Sequence, residues 1–115
     1  MDGNQLQRRA QEASELLKAL GNAHRLMILC QLLEGEKSVG ELVRSIGLSQ
    51  SALSQHLARL RRDRLVSTRR SAQTIYYAIT GAEARSVLQT LHGLYCGRDL
   101  PETTAAASEA ARLSL

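Results

Sequence analysis

The sequence predicts a mainly α-helical fold with one β-hairpin, and three neighbouring patterns carry that prediction. Leu53, Leu57 and Leu60 form a narrow apolar stripe on a helix whose other residues are mostly small or polar. A short helix that stops at Gly47 precedes it, and alternating residues typical of two strands follow Arg64. This order predicts a winged helix-turn-helix with the succession α-α-α-α-β-β-α.

The first two helices provide much of the apolar surface. Residues 5–20 predict a helix with Leu16 beside one apolar stripe, and Gly21 and Asn22 provide its stop and the next N-cap. The stripe consists of Leu6, Ala10, Ala13, Leu17 and Leu20. Residues 23–34 predict a strongly apolar helix in the middle of the fold, ended by Gly35. Its inner face is expected to contain Leu26, Leu29, Cys30 and Leu33, with Met27, Ile28 and Leu32 at the sides.

Two short helices then form the helix-turn-helix. Ser38 and Glu41 have the spacing of a capping box, so they begin a helix that ends at Gly47. Ser49 is a plausible N-cap for the next helix, which contains the leucine stripe. The tight glycine turn between the two helices predicts that the second is a recognition helix.

The outer face of that helix carries short hydrogen-bonding side chains where a surface helix would carry Glu and Lys. Such side chains donate and accept at close range, which suits the reading of base edges in a major groove. We expect this face to comprise Ser49, Gln50, Ser51, Ser54 and Gln55. Two roles remain open for His56, which either packs or contacts a phosphate.

Basic residues cluster directly after the polar helix. Six of the fifteen Lys and Arg residues lie between Arg59 and Arg70, opposed only by Asp63, in a chain of net charge +4. The cluster indicates either a phosphate-binding surface or a solvated basic face. We expect phosphate contacts from Arg59, Arg62, Arg69 and Arg70, with Arg61 and Arg64 in solvent.

A β-hairpin and a last helix complete the domain. Leu65–Arg70 reads as a strand, Ser71–Ala72 as the tip and Gln73–Ile79 as the returning strand, which together form a wing. A second capping box, Thr80–Glu83, opens a helix over residues 81–95. We assign residues 1–98 to one DNA-binding and dimerisation domain and residues 99–115 to a disordered tail.

Composition excludes several other classes. The chain has no Phe or Trp, which argues against a stacking platform for single-stranded nucleic acid. No apolar run approaches the length of a membrane span, and the N-terminus has no signal-peptide pattern. We therefore expect a cytoplasmic protein with no membrane partner, whose two cysteines are reduced by default.

The string LSQSALSQHLARLRRDRLVSTRR and the element order resemble the ArsR (SmtB/ArsR) family of winged-helix repressors over residues 10–98. The resemblance implies a homodimer that binds a palindromic double-stranded operator and releases it when an inducer binds. The first and last helices keep apolar stripes that a small core leaves over, so we expect them to form the dimer surface.

The metal sites of that family are not matched. The helix VGELVRSI lacks the Cys-x-Cys of the arsenic and cadmium sites, and the last helix has His92 without paired carboxylates at ligand spacing. No metal and no other cofactor is therefore expected.

Two cysteines match instead. Cys30 and Cys96, flanked by SVGEL and LHGLYC, are similar in placement to the pair in the persulfide- and redox-sensing branch typified by HlyU, BigR and SqrR. That similarity implies a dithiol switch, in which reactive sulfur species form a polysulfide bridge or oxidants form a disulfide, and DNA affinity falls.

Three alternatives stay open. In the first, the cysteines are inert or the regulator responds to another inducer, since a cysteine on an apolar face is often only a small hydrophobic residue. The chain is a thiol redox carrier, although it has no Cys-x-x-Cys. The winged helix is a protein-binding module, although its polar face lacks the apolar anchors that such interfaces use.

Overall fold

A computed structural model describes residues 2–96 and confirms the winged helix-turn-helix. The predicted domain boundary at residue 98 and the predicted tail, 99–115, lie outside the described residues. None of the described helices is long and apolar enough to cross a membrane. In chain order the elements are α1 Gly3–Leu20, α2 Ala23–Leu32, β1 Lys37–Ser38, α3 Val39–Ile46, α4 Gln50–Arg62, β2 Val66–Ser71, β3 Thr74–Ile79 and α5 Ala82–Tyr95.

Helix α2 lies in the middle of the domain, as its apolar sequence predicts. It packs against α1, α3, α4, β3 and α5, so more than one of its faces is covered. The expected inner face was therefore wrong in part. Ile28, Leu29 and Leu32 are fully buried, whereas Leu26 and Cys30 are only half-buried at the edge of the core.

The helix-turn-helix follows its predicted capping signals. The backbone N–H of Glu41 donates to Ser38 Oγ at 3.1 Å, and the N–H of Ser38 donates to Glu41 Oε1 at 2.8 Å, which closes the capping box. Gly47 ends α3 with a φ of +85°, in the left-handed region where a side chain is unfavourable. The N–H of Ala52 donates to Ser49 Oγ at 3.1 Å and begins α4.

Helix α4 ends in a Schellman motif that has an arginine where glycine is usual. Arg64 has a φ of +63°, its N–H donates to the Arg61 carbonyl at 3.0 Å, and the N–H of Leu65 donates to the Leu60 carbonyl at 2.9 Å. Leu60 and Leu65 are both buried, which supplies the apolar contact of the motif. The turn directs the chain straight from the recognition helix into β2.

The predicted capping box at Thr80 was wrong. Thr80 Oγ1 donates to the Arg64 carbonyl at 2.8 Å, so this hydroxyl stabilises the turn after α4, and no N–H of α5 donates to it. Gly81 is the N-cap of α5 and provides no side-chain hydrogen bond.

The wing is the outer part of a three-stranded antiparallel sheet with the order β1-β3-β2. Strand β1 was not predicted, because two residues are too short to show an alternating pattern. The predicted hairpin tip is also displaced by one residue. Ser71 pairs with Thr74, so the turn consists of Ala72 and Gln73, in a register that places buried Val66 opposite buried Ile79.

Candidate nucleic-acid interface and cysteine pair

Helix α4 has a continuous exposed stripe, mostly polar, on the side opposite its buried leucines. Leu53, Leu57 and Leu60 are buried on its opposite face and hold it against the core. The exposed positions at i, i+4, i+7 and i+11 form the stripe, with exposed Gln50 and Ser54 along one side of it. The stripe consists of Ser51, Gln55, Ala58 and Arg62. A small residue in its centre allows a flat surface to approach the helix closely.

The side chain of Ser49 caps the N-terminus of α4. Its hydroxyl accepts the N–H of Ala52 and lies 3.5 Å from Ser51 Oγ. A capped, regular first turn fixes the direction in which Gln50, Ser51 and Ser54 project.

His56 packs between α4 and α2. Its ring is half-buried and lies 5.6 Å from the ring of His24, measured between centroids. Burial lowers the pKa of His56, and the positive charges of Arg25 and His24 lower it further. Of the two roles left open by the sequence, this geometry favours packing of a neutral imidazole.

Arg59 and Arg62 both lie near Asp63 but differ in how closely they contact it and in their exposure. Arg59 Nε donates to Asp63 Oδ2 at 2.9 Å, and the side chain of Arg59 is 36% exposed. Arg62 Nε lies 3.8 Å from the other oxygen of the same carboxylate, and its side chain is 71% exposed. Arg62 also belongs to the exposed stripe, so it is the better placed of the two to contact a phosphate.

The two arginines of the wing lie on opposite faces of the hairpin. Arg69 is paired with Tyr76, and Arg70 with Ile75. The Arg69 guanidinium stacks 4.7 Å from the Tyr76 ring centroid and forms a bidentate ion pair with Glu36, in which Nε donates to Oε2 at 3.2 Å. Arg70 is exposed and makes no hydrogen bond or ion pair within residues 2–96.

Sequence reasoning missed the partners of these side chains. Glu36 precedes Arg69 by 33 positions, and only the pairing of β1 with β3 brings the two together. His24 contacts His56 through the packing of α2 on α4. Neither contact leaves a periodic or motif-like trace in the sequence.

The two cysteines come close enough for a charge on Cys96 to act on the Cys30 thiol, and the helix that carries Cys30, α2, packs against α5. Cys30 is half-buried on α2, and Cys96 is exposed immediately after α5. Burial raises the pKa of the Cys30 thiol, and the negative charge that Cys96 carries when ionised raises it further. Both thiols are free. Within residues 2–96, no three or more His, Cys, Asp or Glu side chains are grouped so as to hold a metal ion.

The fold and the polar, N-capped helix beside a wing define a winged-helix DNA-binding regulator. Comparison with known proteins makes the class specific. The model of the bacterial regulatory protein arsR family matches residues 22–68. The chain is 51% identical over 96 residues to the transcriptional activator HlyU of Vibrio cholerae. The aligned region covers 84% of this chain and 89% of HlyU. The chain is 41% identical over 99 residues to the biofilm growth-associated repressor of Xylella fastidiosa, covering 86% and 87% of the two chains.

Solved structures agree with these relationships. Reduced HlyU from Vibrio cholerae superposes with a TM-score of 0.78 at 52% identity, over 80% of this chain and 97% of that one. The repressor BigR from Xylella fastidiosa superposes with a TM-score of 0.75 at 43% identity, over 84% and 98%. The chain belongs to the ArsR family. It is a DNA-binding transcriptional regulator and not an enzyme.

Proposed function

We propose that this chain is a homodimeric repressor that releases its palindromic operator when Cys30 and Cys96 become joined by a disulfide or polysulfide bridge. The observation that carries the proposal is that Cys30 on α2 and Cys96 directly after α5, 66 positions apart, come close enough for the charge of one to act on the other, while α2 packs against α5. Two findings on relatives support it: one similar structure is that of reduced HlyU, and three similar proteins are named biofilm growth-associated repressors.

The environments of the two thiols predict the order of the chemistry. Thiolates are the attacking species, and burial keeps the Cys30 thiol protonated to higher pH. Cys96 is exposed. We therefore assign the first attack on a sulfur donor to Cys96, and the closing of the bridge to Cys30.

The sulfur transfer balances with two low-molecular-weight persulfides. The Cys96 thiolate takes the outer sulfur of the first, which leaves as a thiol. The Cys30 thiolate then bonds to that added sulfur, and the two electrons released reduce the second persulfide to a thiol and hydrogen sulfide. The product is a trisulfide. With a diazene oxidant the same two thiols give a disulfide, and the oxidant takes up two electrons and two protons.

A bridge between α2 and the end of α5 acts on DNA binding through the dimer. Helices α1 and α5 are the predicted dimer surface, whereas α4 is held by the core around α2. A covalent bridge between α2 and α5 changes the position of each α4 relative to the α4 of the other protomer. The two recognition helices must match half-sites roughly 34 Å apart, so a small change in their spacing weakens binding.

Within this function the exposed stripe of α4 contacts DNA. Gln55 and Ser51 read base edges, with Gln50 and Ser54 beside them, and Arg62 binds a phosphate. Arg70 provides the contact from the wing. Phosphate contacts by Arg59 and Arg69 remain predictions, and each requires its ion pair with Asp63 or Glu36 to open.

The test measures DNA affinity of one protein in three thiol states. Duplexes are first selected from a random library with the reduced protein, and binding is then followed by fluorescence anisotropy. The reduced, diamide-treated and persulfide-treated proteins are compared, and intact mass reports the bridge. A trisulfide adds one sulfur atom and removes two hydrogen atoms. We expect the bridged forms to bind at least about tenfold more weakly, which corresponds to about 1.4 kcal/mol.

Single-cysteine variants provide the control. Cys30→Ser still accepts one sulfur on Cys96, Cys96→Ser reacts slowly, and neither loses DNA affinity because neither closes a bridge. If the bridged wild-type protein binds as tightly as the reduced protein, the switch is wrong and the cysteines are inert. If the reduced protein selects no duplex, the proposed operator binding is itself wrong.

A further inference from the structure

We propose that Glu36 withholds Arg69 from DNA, so that it sets the affinity of the wing and leaves Arg70 as the wing's phosphate contact. The inference rests on the proposed operator binding and is independent of the cysteines. Glu36 acts as a positioning residue, since it works through the arginine that it pairs with.

The register of the sheet shows where Arg69 is directed. Arg69 on β2 lies opposite Tyr76 on β3, and Tyr76 lies opposite Ser38 on β1. Glu36, two residues before Ser38, lies further from the hairpin tip. The Arg69 side chain thus extends from β2 across the central strand, over the Tyr76 ring. At the opposite edge of the sheet, just before β1, it donates hydrogen bonds to the Glu36 carboxylate. Its guanidinium is drawn across the sheet and away from Ala72 and Gln73 at the tip.

The charges favour the same conclusion. The hydrogen bond from Arg69 lowers the pKa of Glu36, so its carboxylate is ionised at neutral pH and the pair has no net charge. A neutral pair releases no counterion from DNA, whereas a free arginine on a phosphate releases about one. Arg70 has no partner within residues 2–96 and keeps its full charge.

The pair is also able to open. The side chains of Arg69 and Glu36 are 54% and 39% exposed, and exposed ion pairs are weak. Removal of the carboxylate should therefore free Arg69 to leave the Tyr76 ring and turn towards DNA, without unfolding the sheet.

The test is the salt dependence of DNA binding, measured by anisotropy on the duplex selected by the reduced wild-type protein. We expect Glu36→Gln to bind about two- to tenfold more tightly at low salt. The slope of log affinity against log salt should steepen by about 1.8 for the dimer, since each protomer neutralises one more phosphate and each phosphate contributes about 0.9. Arg70→Gln should make the slope shallower by about the same amount, whereas Arg69→Gln should leave it nearly unchanged.

Two controls separate withholding of Arg69 from a general charge effect. Glu34→Gln removes the same charge from a neighbouring ion pair, Glu34 with Lys37 at 3.0 Å, and should not steepen the slope as Glu36→Gln does. In the double variant Glu36→Gln/Arg69→Gln the slope should return to the wild-type value. Thermal unfolding of each variant verifies that the sheet remains folded.

Three results would overturn the inference: weaker binding by Glu36→Gln, an equal gain in Glu34→Gln, or a gain that persists in the double variant. The first would mean that Glu36 orients Arg69 towards DNA. If the reduced wild-type protein itself does not bind DNA, the proposed function is contradicted. Wild-type binding is therefore measured first, before any variant is compared.

Discussion

At the scale of single residues, His56 shows how a group on the recognition helix is kept neutral. It is half-buried against His24, and burial is the main cause of its lowered pKa. Arg25 adds to the effect, and this guanidinium is held in place by hydrogen bonds to the Ala19 and Lys18 carbonyls at the end of α1. Protonation of His56 thus adds a charge beside a fixed positive charge.

We predict from this that the domain loses stability in mild acid. A histidine with a lowered folded pKa binds its proton more readily in the unfolded chain, so the free energy of unfolding falls as pH drops below the ordinary value of about 6.5. Denaturant titrations at pH values from about 7.5 to 5 should show this loss, and it should be smaller in His56→Gln. His92→Gln, on the exposed side of α5, is the matched control and should behave as wild type.

At the scale of the element, α4 separates residues that build the helix from residues that face outwards. Ser49 caps it, the leucines anchor it, and the Arg64 turn connects it to the wing. The leucine anchors lie on one side of α4, so the exposed stripe on the opposite side is free to contact DNA. We expect Gln55 and Arg62 of this stripe to contribute to DNA binding in different ways.

We predict that Gln55→Ala loses sequence discrimination whereas Arg62→Gln loses general affinity. A side chain that pairs with a base edge contributes about 1–3 kcal/mol to discrimination, and the dimer makes the contact at two half-sites, so Gln55→Ala should weaken specific binding at least about 30-fold and leave nonspecific binding unchanged. Arg62→Gln should weaken both and make the salt slope shallower by about 1.8, or about 0.9 for each protomer of the dimer. Anisotropy on the selected and on a scrambled duplex measures both quantities.

Gln89→Ala, an exposed glutamine on α5, is the control for these variants and should change neither affinity. Equal losses on both duplexes in Gln55→Ala would mean that another face of α4 contacts the bases.

At the scale of the whole molecule, α1 and α5 expose apolar side chains that a single copy does not bury. Leu6 and Leu17 on α1 are 59% and 60% exposed, and Leu94 and Tyr95 at the end of α5 are 50% and 61% exposed. These are the helices that the sequence predicts as the dimer surface, and an exposed apolar stripe is typical of a surface that associates.

We predict that Leu17→Glu weakens the dimer and, with it, operator binding. Loss of one buried leucine corresponds to about 1.5–3 kcal/mol, and a symmetric dimer loses two, so the dimer dissociation constant should rise by at least about 100-fold. Sedimentation equilibrium measures the change. Gln11→Glu adds the same charge on another face of α1 and should leave the dimer intact. Unchanged dimerisation of Leu17→Glu would place the interface elsewhere.

The sequence by itself determined the order of the helices and the wing, the capping of α3 and α4, and the leucines that anchor the recognition helix. These features depend on residues a few positions apart, and their physical causes are local: helical periodicity, capping hydrogen bonds and the φ of Gly47. The family resemblance, carried by the same stretch, supplied the pairing of Cys30 with Cys96.

Only the tertiary structure decided which polar side chains are already occupied. Strand β1 places Glu36 where it pairs with Arg69, and the hydroxyl of Thr80 donates to the turn at Arg64 instead of capping α5. In the same way, the packing of α2 on α4 makes His56 a packing residue. Each of these contacts joins groups that are far apart in the chain. Their partners depend on how strands and helices pack, and no local pattern records that packing.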